Sequence, residues 1–181
     1  MQKLGYTLAI GIVFALPACS GKDPYKPGDA IGTFHVTGKL VSTTCGATPD
    51  PWEFDVRLRH DATTIFWVQG DAPVSGKLDV NAHVAFHATD THMVRAADAK
   101  LRTPACVVTR DDGLDVTLAE DGQARLSDPS KATTFGGYLV YRFTPTADSD
   151  CSDQLADTGG DFAALPCEVR YDVTALRTAQ K

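Results

Sequence analysis

The chain has 181 residues, 43% of them hydrophobic, and a formal net charge of −6 at pH 7. Its 17 basic residues are scattered rather than gathered into a patch, so nucleic acid is excluded as a partner, because phosphate contacts need concentrated positive charge. The length suits one domain able to bury its own core.

Met1-Gln2-Lys3 supplies positive charge, and an apolar run from Leu4 to Leu16 follows. This is the layout of a secretory signal. The run is too short to span a bilayer, which takes roughly 20 apolar residues. It ends in Leu16-Pro17-Ala18-Cys19, which resembles the lipobox of bacterial lipoproteins: a Leu, a residue of loose identity, a small residue and a Cys. The resemblance implies that signal peptidase II removes residues 1–18. It also implies that the Cys19 sulfur carries a diacylglycerol and that the new amino terminus carries an acyl chain such as palmitate. Two or three chains anchor a protein stably where one binds marginally, so the membrane itself is the implied partner. Ser20 follows the cysteine. In enteric-type sorting an Asp there retains lipoproteins in the inner membrane, so the resemblance implies the outer membrane, facing the periplasm or the cell surface. The other reading is an ordinary signal cut after Ala18, which leaves Cys19 a free thiol.

The cysteines are Cys19, Cys45, Cys106, Cys151 and Cys167. An odd number in an exported protein leaves one unpaired. With Cys19 lipidated, the other four form two disulfides, which the periplasm and cell surface permit. Residues 19–30 are rich in Gly, Pro and charge and read as a flexible tether; residues 31–181 read as a single β-domain.

From Ile31 onward the apolar period is two. In residues 31–42 Phe34, Val36 and Leu40 share one face. In 53–60 Phe54, Val56 and Leu58 do so, in 73–80 Val74, Leu78 and Val80, and in 167–176 Val169, Tyr171 and Val173. Such alternation marks a strand with one face in the core and one in water. Further strands are expected over 63–69, 82–89, 105–110, 114–119, 122–127 and 137–145, about ten in all. Asp111-Asp112-Gly113 and Glu120-Asp121-Gly122 are read as hairpin turns, since Asp-Gly is a strong turn signal. Residues 91–101 and 151–158 offer room for a helical turn or two. The expected architecture is an all-β, antiparallel up-and-down meander closing into a barrel, with a two-sheet sandwich as the alternative. The outline is weakly similar to lipocalin-like barrels, where Gly32-Thr33-Phe34 stands in the place of a Gly-x-Trp.

A Cys151–Cys167 bond would close the loop between the last two strands, leaving Cys45 with Cys106. Cys45–Cys167 is the rival pairing, because the first and last strands are expected to be neighbours. His83 and His87 share one strand face about 13 Å apart at ~3.3 Å per residue, too far for one metal ion. With Val84 and Phe86 on the apolar face, both rings are assigned to solvent. His35 and His60 are placed on polar faces or at turns, and His92 lies beyond the strand that carries His83 and His87. The acidic loop Asp148-Ser149-Asp150-Cys151-Ser152-Asp153 lacks the Gly and closing Glu of a dedicated calcium loop. No Gly-x-Ser-x-Gly, His-Glu-x-x-His, Gly-x-Gly-x-x-Gly or phosphate loop occurs, so no catalytic residue, metal or cofactor is assigned. Trp52, Phe66, Trp67, Tyr138, Tyr141 and Phe143 are assigned to core or rim packing in preference to a stacking platform for sugar. The functional expectation is a lipid-anchored exported protein with a non-enzymatic binding or structural β-domain. The alternatives are a lipocalin-like carrier of a small apolar ligand and a cell-envelope hydrolase. A filled interior would favour the first, an apolar cavity open at one end the second.

Overall fold

The computed structural model describes residues 26–70, 72–100, 102–121, 123, 126 and 128–178. The signal 1–18, Cys19 and the tether up to residue 25 lie outside the described residues, as does most of the strand expected over 122–127.

Among the described residues, eight strands form one antiparallel sheet: β1 (Asp29–Thr43), β2 (Trp52–Asp61), β3 (Thr64–Val68), β4 (Val74–Lys77), β5 (His83–Arg95), β6 (Cys106–Ala119), β7 (Thr134–Pro145) and β8 (Cys167–Arg177). Their order is β4-β3-β2-β1-β8-β7-β6-β5. First and last strands pair antiparallel, Gly38 opposite Val173, as an even count allows. The two ends of the order, β4 and β5, come together without a ladder. Asp79 N donates to His83 O there, and a Cβ at Gly76 would lie 2.4 Å from the Ala85 carbonyl oxygen. Glycine is what lets the two backbones approach this closely. The result is an up-and-down meander nearly closed into a barrel.

The expected faces hold for β1, β2 and β8. Phe34, Val36, Val56, Leu58, Val169, Tyr171 and Val173 are all buried, while Phe54 and Leu40 are half-buried against them. Between β3 and β7 the lumen is filled by Ile65, Trp67, Val84, Phe86, Leu114, Val116 and Leu139. One end is closed. Ile31, Leu118 and Ala132 are fully buried, and the β6–β7 connection crosses this base through a 3-10 turn at Pro129–Lys131. Arg177 ties that connection down, its backbone N donating to Thr133 O at 2.8 Å and its Nη1 to Ser130 O at 3.1 Å. β1 begins at Asp29, two residues inside the expected tether, and enters at this base. Arg59 holds the approach, donating to the Pro27 and Gly28 carbonyls.

Three elements differ from the sequence expectation; the first merges the strands expected over 105–110 and 114–119 into β6, and with 122–127 mostly outside the described residues the expected ten become eight. Asp111-Asp112-Gly113 is not a turn. It lies in the middle of β6, with Asp112 opposite Ala88 on β5 and Tyr141 on β7. Two full neighbours satisfy its backbone, so ladder pairing outweighs the turn preference of Asp-Gly. Residues 91–95 belong to β5, where Thr91 faces Thr109, rather than to a helical turn; two short 3-10 turns, Ser152–Gln154 and Ala156–Thr158, do occupy the second expected site. Val80 is 97% exposed, because β4 stops at Lys77 and the apolar alternation runs past its end into a turn.

Candidate functional site

The other end of the barrel, the mouth, is built from the β1–β2, β3–β4, β5–β6 and β7–β8 connections. Both disulfides lie here. Cys45 joins Cys167 and Cys106 joins Cys151. The preferred pairing of Cys151 with Cys167 and Cys45 with Cys106 is therefore corrected, and the rival Cys45–Cys167 is the bond that forms. The reason is spatial order. Thr44 N donates to Glu168 O across the β1–β8 closure, which brings Cys45 to Cys167. The β7–β8 connection folds back over β6, Thr146 N donating to Val107 O and Asp150 N to Ala105 O, which lays Cys151 on Cys106.

The period of two along β6 dictates the chemistry of the mouth. Leu118, Val116 and Leu114 point into the lumen, so Asp112 and Arg110 must do so as well. They form a forked pair, Arg110 Nε donating to Asp112 Oδ1 at 2.7 Å and Nη2 to Oδ2 at 2.8 Å. Their side chains are 36% and 31% exposed. Burial raises the Asp112 pKa above the ordinary carboxylate value, and the Arg110 charge offsets only part of that rise. Burial also works against the Arg110 charge, but the Asp112 carboxylate more than compensates and holds its pKa above the usual one. The guanidinium lies 4.4 Å over the Tyr141 ring, a cation–π contact. Burial keeps the Tyr141 phenol protonated well beyond its usual range.

Aromatic rings surround this pair. Trp52 contacts Phe54, Tyr141 and Tyr171 at ring-centroid distances of 4.6, 5.4 and 5.5 Å, and Phe143 meets Phe162 at 5.9 Å. Tyr171 Oη donates to Pro49 O at 3.0 Å, fixing the β1–β2 loop at the rim. A cleft of about 280 Å³ opens between this loop and the β7–β8 connection, with Trp52, Arg110, Tyr141, Phe143, Phe162 and Asp161 in its walls. A smaller recess of about 80 Å³ lies on the far side of Arg110 and Tyr141, beside Val74, Phe86 and Ala88. It exists because β4 is four residues long, whereas β5 continues for thirteen. Of the aromatic residues singled out in the sequence, Trp52, Tyr141 and Phe143 line the cleft and Trp67 is core. Tyr138 is on the outer surface beneath Arg170, 4.5 Å from guanidinium to ring, and Phe66 shares that outward face of β3.

The remaining sequence candidates do not assemble. His83 is on the outer face as expected, 2.5 Å from Asp115 Oδ1 and 3.9 Å from Asp79 Oδ2. His87 is exposed beside Thr89, His35 pairs with Asp55 across β1 and β2 at 2.8 Å, and His92 pairs with Asp90 at 3.2 Å. His60 opposes Ile65 beside the β2–β3 turn. In the acidic loop, Asp150 accepts from Ser152 N and Oγ, and Asp153 pairs with Arg95 at 2.5 Å; these carboxylates hold the loop itself. Among the described residues no group of three or more His, Cys, Asp or Glu side chains is placed to hold a metal ion. Sequence reasoning missed Arg110 and Asp112. The available signal was Arg110-x-Asp112, two opposite charges at strand spacing in register with Leu114.

Compared with protein-family models, curated proteins and solved structures, the chain finds no match in any of the three.

Proposed function

We propose that this chain is an exported bacterial lipoprotein, anchored in the outer membrane through acyl chains on Cys19. Its eight-stranded domain is a non-enzymatic binding module that offers its mouth to a ligand. The observation that carries the anchor is the cysteine ledger. Cys45, Cys106, Cys151 and Cys167 are consumed in two disulfides, so Cys19, at the end of the lipobox-like run, is the odd sulfur left for modification. Disulfides of this kind belong to an oxidising compartment. The filled lumen favours a binding module over a lipocalin-like carrier, because ligand pockets are generally ~300–1,000 Å³ and the recess beneath the mouth is about 80 Å³. A half-buried ion pair contributes little net stability compared with apolar packing, and its retention among aromatic rings fits a surface that serves a ligand. Since β1 enters at the base, an anchor on Cys19 leaves the mouth facing away from the membrane.

The test is metabolic labelling with palmitate. The wild-type chain takes up label and fractionates with outer membrane, and Cys19→Ser does neither. Equal labelling of both chains would overturn the lipoprotein reading.

A further inference from the structure

We infer that the mouth cleft binds a neutral sugar ring, a pyranose or a disaccharide of two. This rests on reading the mouth as the binding surface.

Charge, shape and hydrogen-bonding chemistry argue for it separately. Arg110 and Asp112 neutralise one another at 2.7 and 2.8 Å. An anionic ligand would have to compete with Asp112 for the guanidinium and would face Asp161 in the same wall. A cation would meet Asp161 but would face the Arg110 guanidinium in the same walls. An apolar chain would strip water from the pair and return no hydrogen bond, which is costly. A neutral ligand rich in hydroxyls avoids all three penalties. Arg110 lines the cleft, whereas Asp112 lies behind it in the wall of the smaller recess; two of the five guanidinium N–H groups are directed at Asp112, so others remain for a ligand. Vicinal hydroxyls, each both donor and acceptor, can accept from Arg110 and donate to Asp161, the carboxylate in the same walls.

The rings decide between a sugar and a flat heterocycle. Trp52 and Tyr171 are inclined by 43°, Trp52 and Tyr141 by 63°, and Phe143 and Phe162 by 56°. None of these three pairs is parallel, so they form no slot that would sandwich a planar aromatic ligand. A splayed aromatic wall instead accepts a thick ring that presents C–H groups to one indole or phenol face. The cleft, about 280 Å³, has room for one or two such rings. Its rim is fixed before binding by the Cys45–Cys167 bond and by Tyr171 Oη on Pro49 O, which lowers the ordering cost of association.

The experiment titrates the full chain, purified in a sugar-free detergent, and follows Trp fluorescence and calorimetric heat. The probes are glucose, galactose, mannose and N-acetylglucosamine, with their β-1,4-linked disaccharides. Galacturonic acid and palmitate are the charged and apolar controls. The expected result is saturable binding of at least one neutral probe, with an affinity that changes by less than about two-fold between low salt and ~0.5 M NaCl. Arg110→Gln, which removes the guanidinium that lines the cleft, weakens it by about ten-fold or more. Phe162→Ala, which removes a half-buried ring from the cleft wall, weakens it by about three- to ten-fold when measured well below the unfolding midpoint of the variant. Binding of palmitate alone, of galacturonic acid alone or of no probe would overturn the inference. So would neutral binding that neither variant weakens. Cleavage of a bound disaccharide would support the sugar site and overturn the non-enzymatic reading, whereas palmitate labelling of Cys19 tests the anchor independently.

Discussion

The base and the mouth of this barrel are made by the same eight strands, yet they are held together differently. At the base the inward positions are Ile31, Phe34, Leu118 and Phe135, all 3% exposed or less, and hydrophobic burial is the main source of stability there, at about 25 cal/mol per Å² of apolar surface. At the mouth the inward positions become Arg110, Asp112, Trp52 and Tyr141, and two disulfides replace what apolar packing no longer supplies. The change happens within single strands. On β6 it falls between Leu114 and Asp112, one inward step apart. A strand's inward register therefore says where a side chain points and not what it does: the same face closes one end and builds a recognition surface at the other.

The largest effect that would break this contrast is a charge at the apolar end. Val56 is 1% exposed, and Val56→Asp buries an unpaired carboxylate, which is expected to unfold the domain or force the group to protonate. Asp55→Val changes the opposite face, where Asp55 pairs with an exposed His35, and is expected to shift stability by about 0.5 kcal/mol or less. Denaturant midpoints of residues 20–181 measure both; the reverse ranking would mean that the β2 register is wrong.

Next come the staples of the mouth. Replacing Cys45 and Cys167 together by Ala is expected to cost roughly 2–5 kcal/mol, and the Cys106 and Cys151 replacement somewhat less, because loop entropy grows with the span closed. Those spans are 122 and 45 residues. Calorimetry of each double variant checks the ranking, and amide exchange should show the added motion confined to the mouth.

A smaller effect is expected at the seam. Gly76→Val places a side chain where a Cβ already lies 2.4 Å from Ala85 O, and the strain of separating β4 from β5 is expected to cost about 1–3 kcal/mol. Thermal unfolding measures it; an unchanged midpoint would mean that the seam is not closed.

The subtlest prediction concerns pH. The Asp79 carboxylate accepts the backbone N–H groups of His83 and Asn81, which lowers its pKa below the ordinary 3.8. A carboxyl whose folded pKa is depressed contributes stability above its unfolded value and loses it as pH falls through the folded value. Wild type should therefore exceed Asp79→Ala in melting temperature at neutral pH, and the gap should close below about pH 4. For Asp112 the sign is opposite. Its raised pKa makes its own contribution greatest in acid, and that contribution falls as pH rises through the folded value.

Where residues alternate cleanly, the fold is legible from the sequence. Phe34 and Val36, Val56 and Leu58, and Val169 to Val173 lie on the expected inward faces because burial of one face and solvation of the other is the physics that the alternation records. The mouth was not legible in this way. Asp111-Asp112-Gly113 has the composition of a turn, and only strands on both sides, which sequence order does not reveal, keep it extended. The cysteines failed for a related reason. Their pairing follows neighbours across the sheet and a connection folded back over β6, while proximity along the chain suggested Cys151 and Cys167. Trp52 and Tyr141 were recognisable as rim aromatics, but their partner Arg110 was not, because a charged side chain on a strand's inward face contradicts the pattern used to find the strand.

The central claim is that the lumen is filled and that binding belongs to the mouth. It is tested most directly by titrating residues 20–181 with a fluorescent fatty acid while following Trp67, which is 8% exposed within the lumen. The filled barrel predicts no saturable quenching of Trp67 and no stoichiometric uptake. Tight one-to-one binding that quenches Trp67 but is unaffected by Phe162→Ala would contradict it, and would make this domain a carrier.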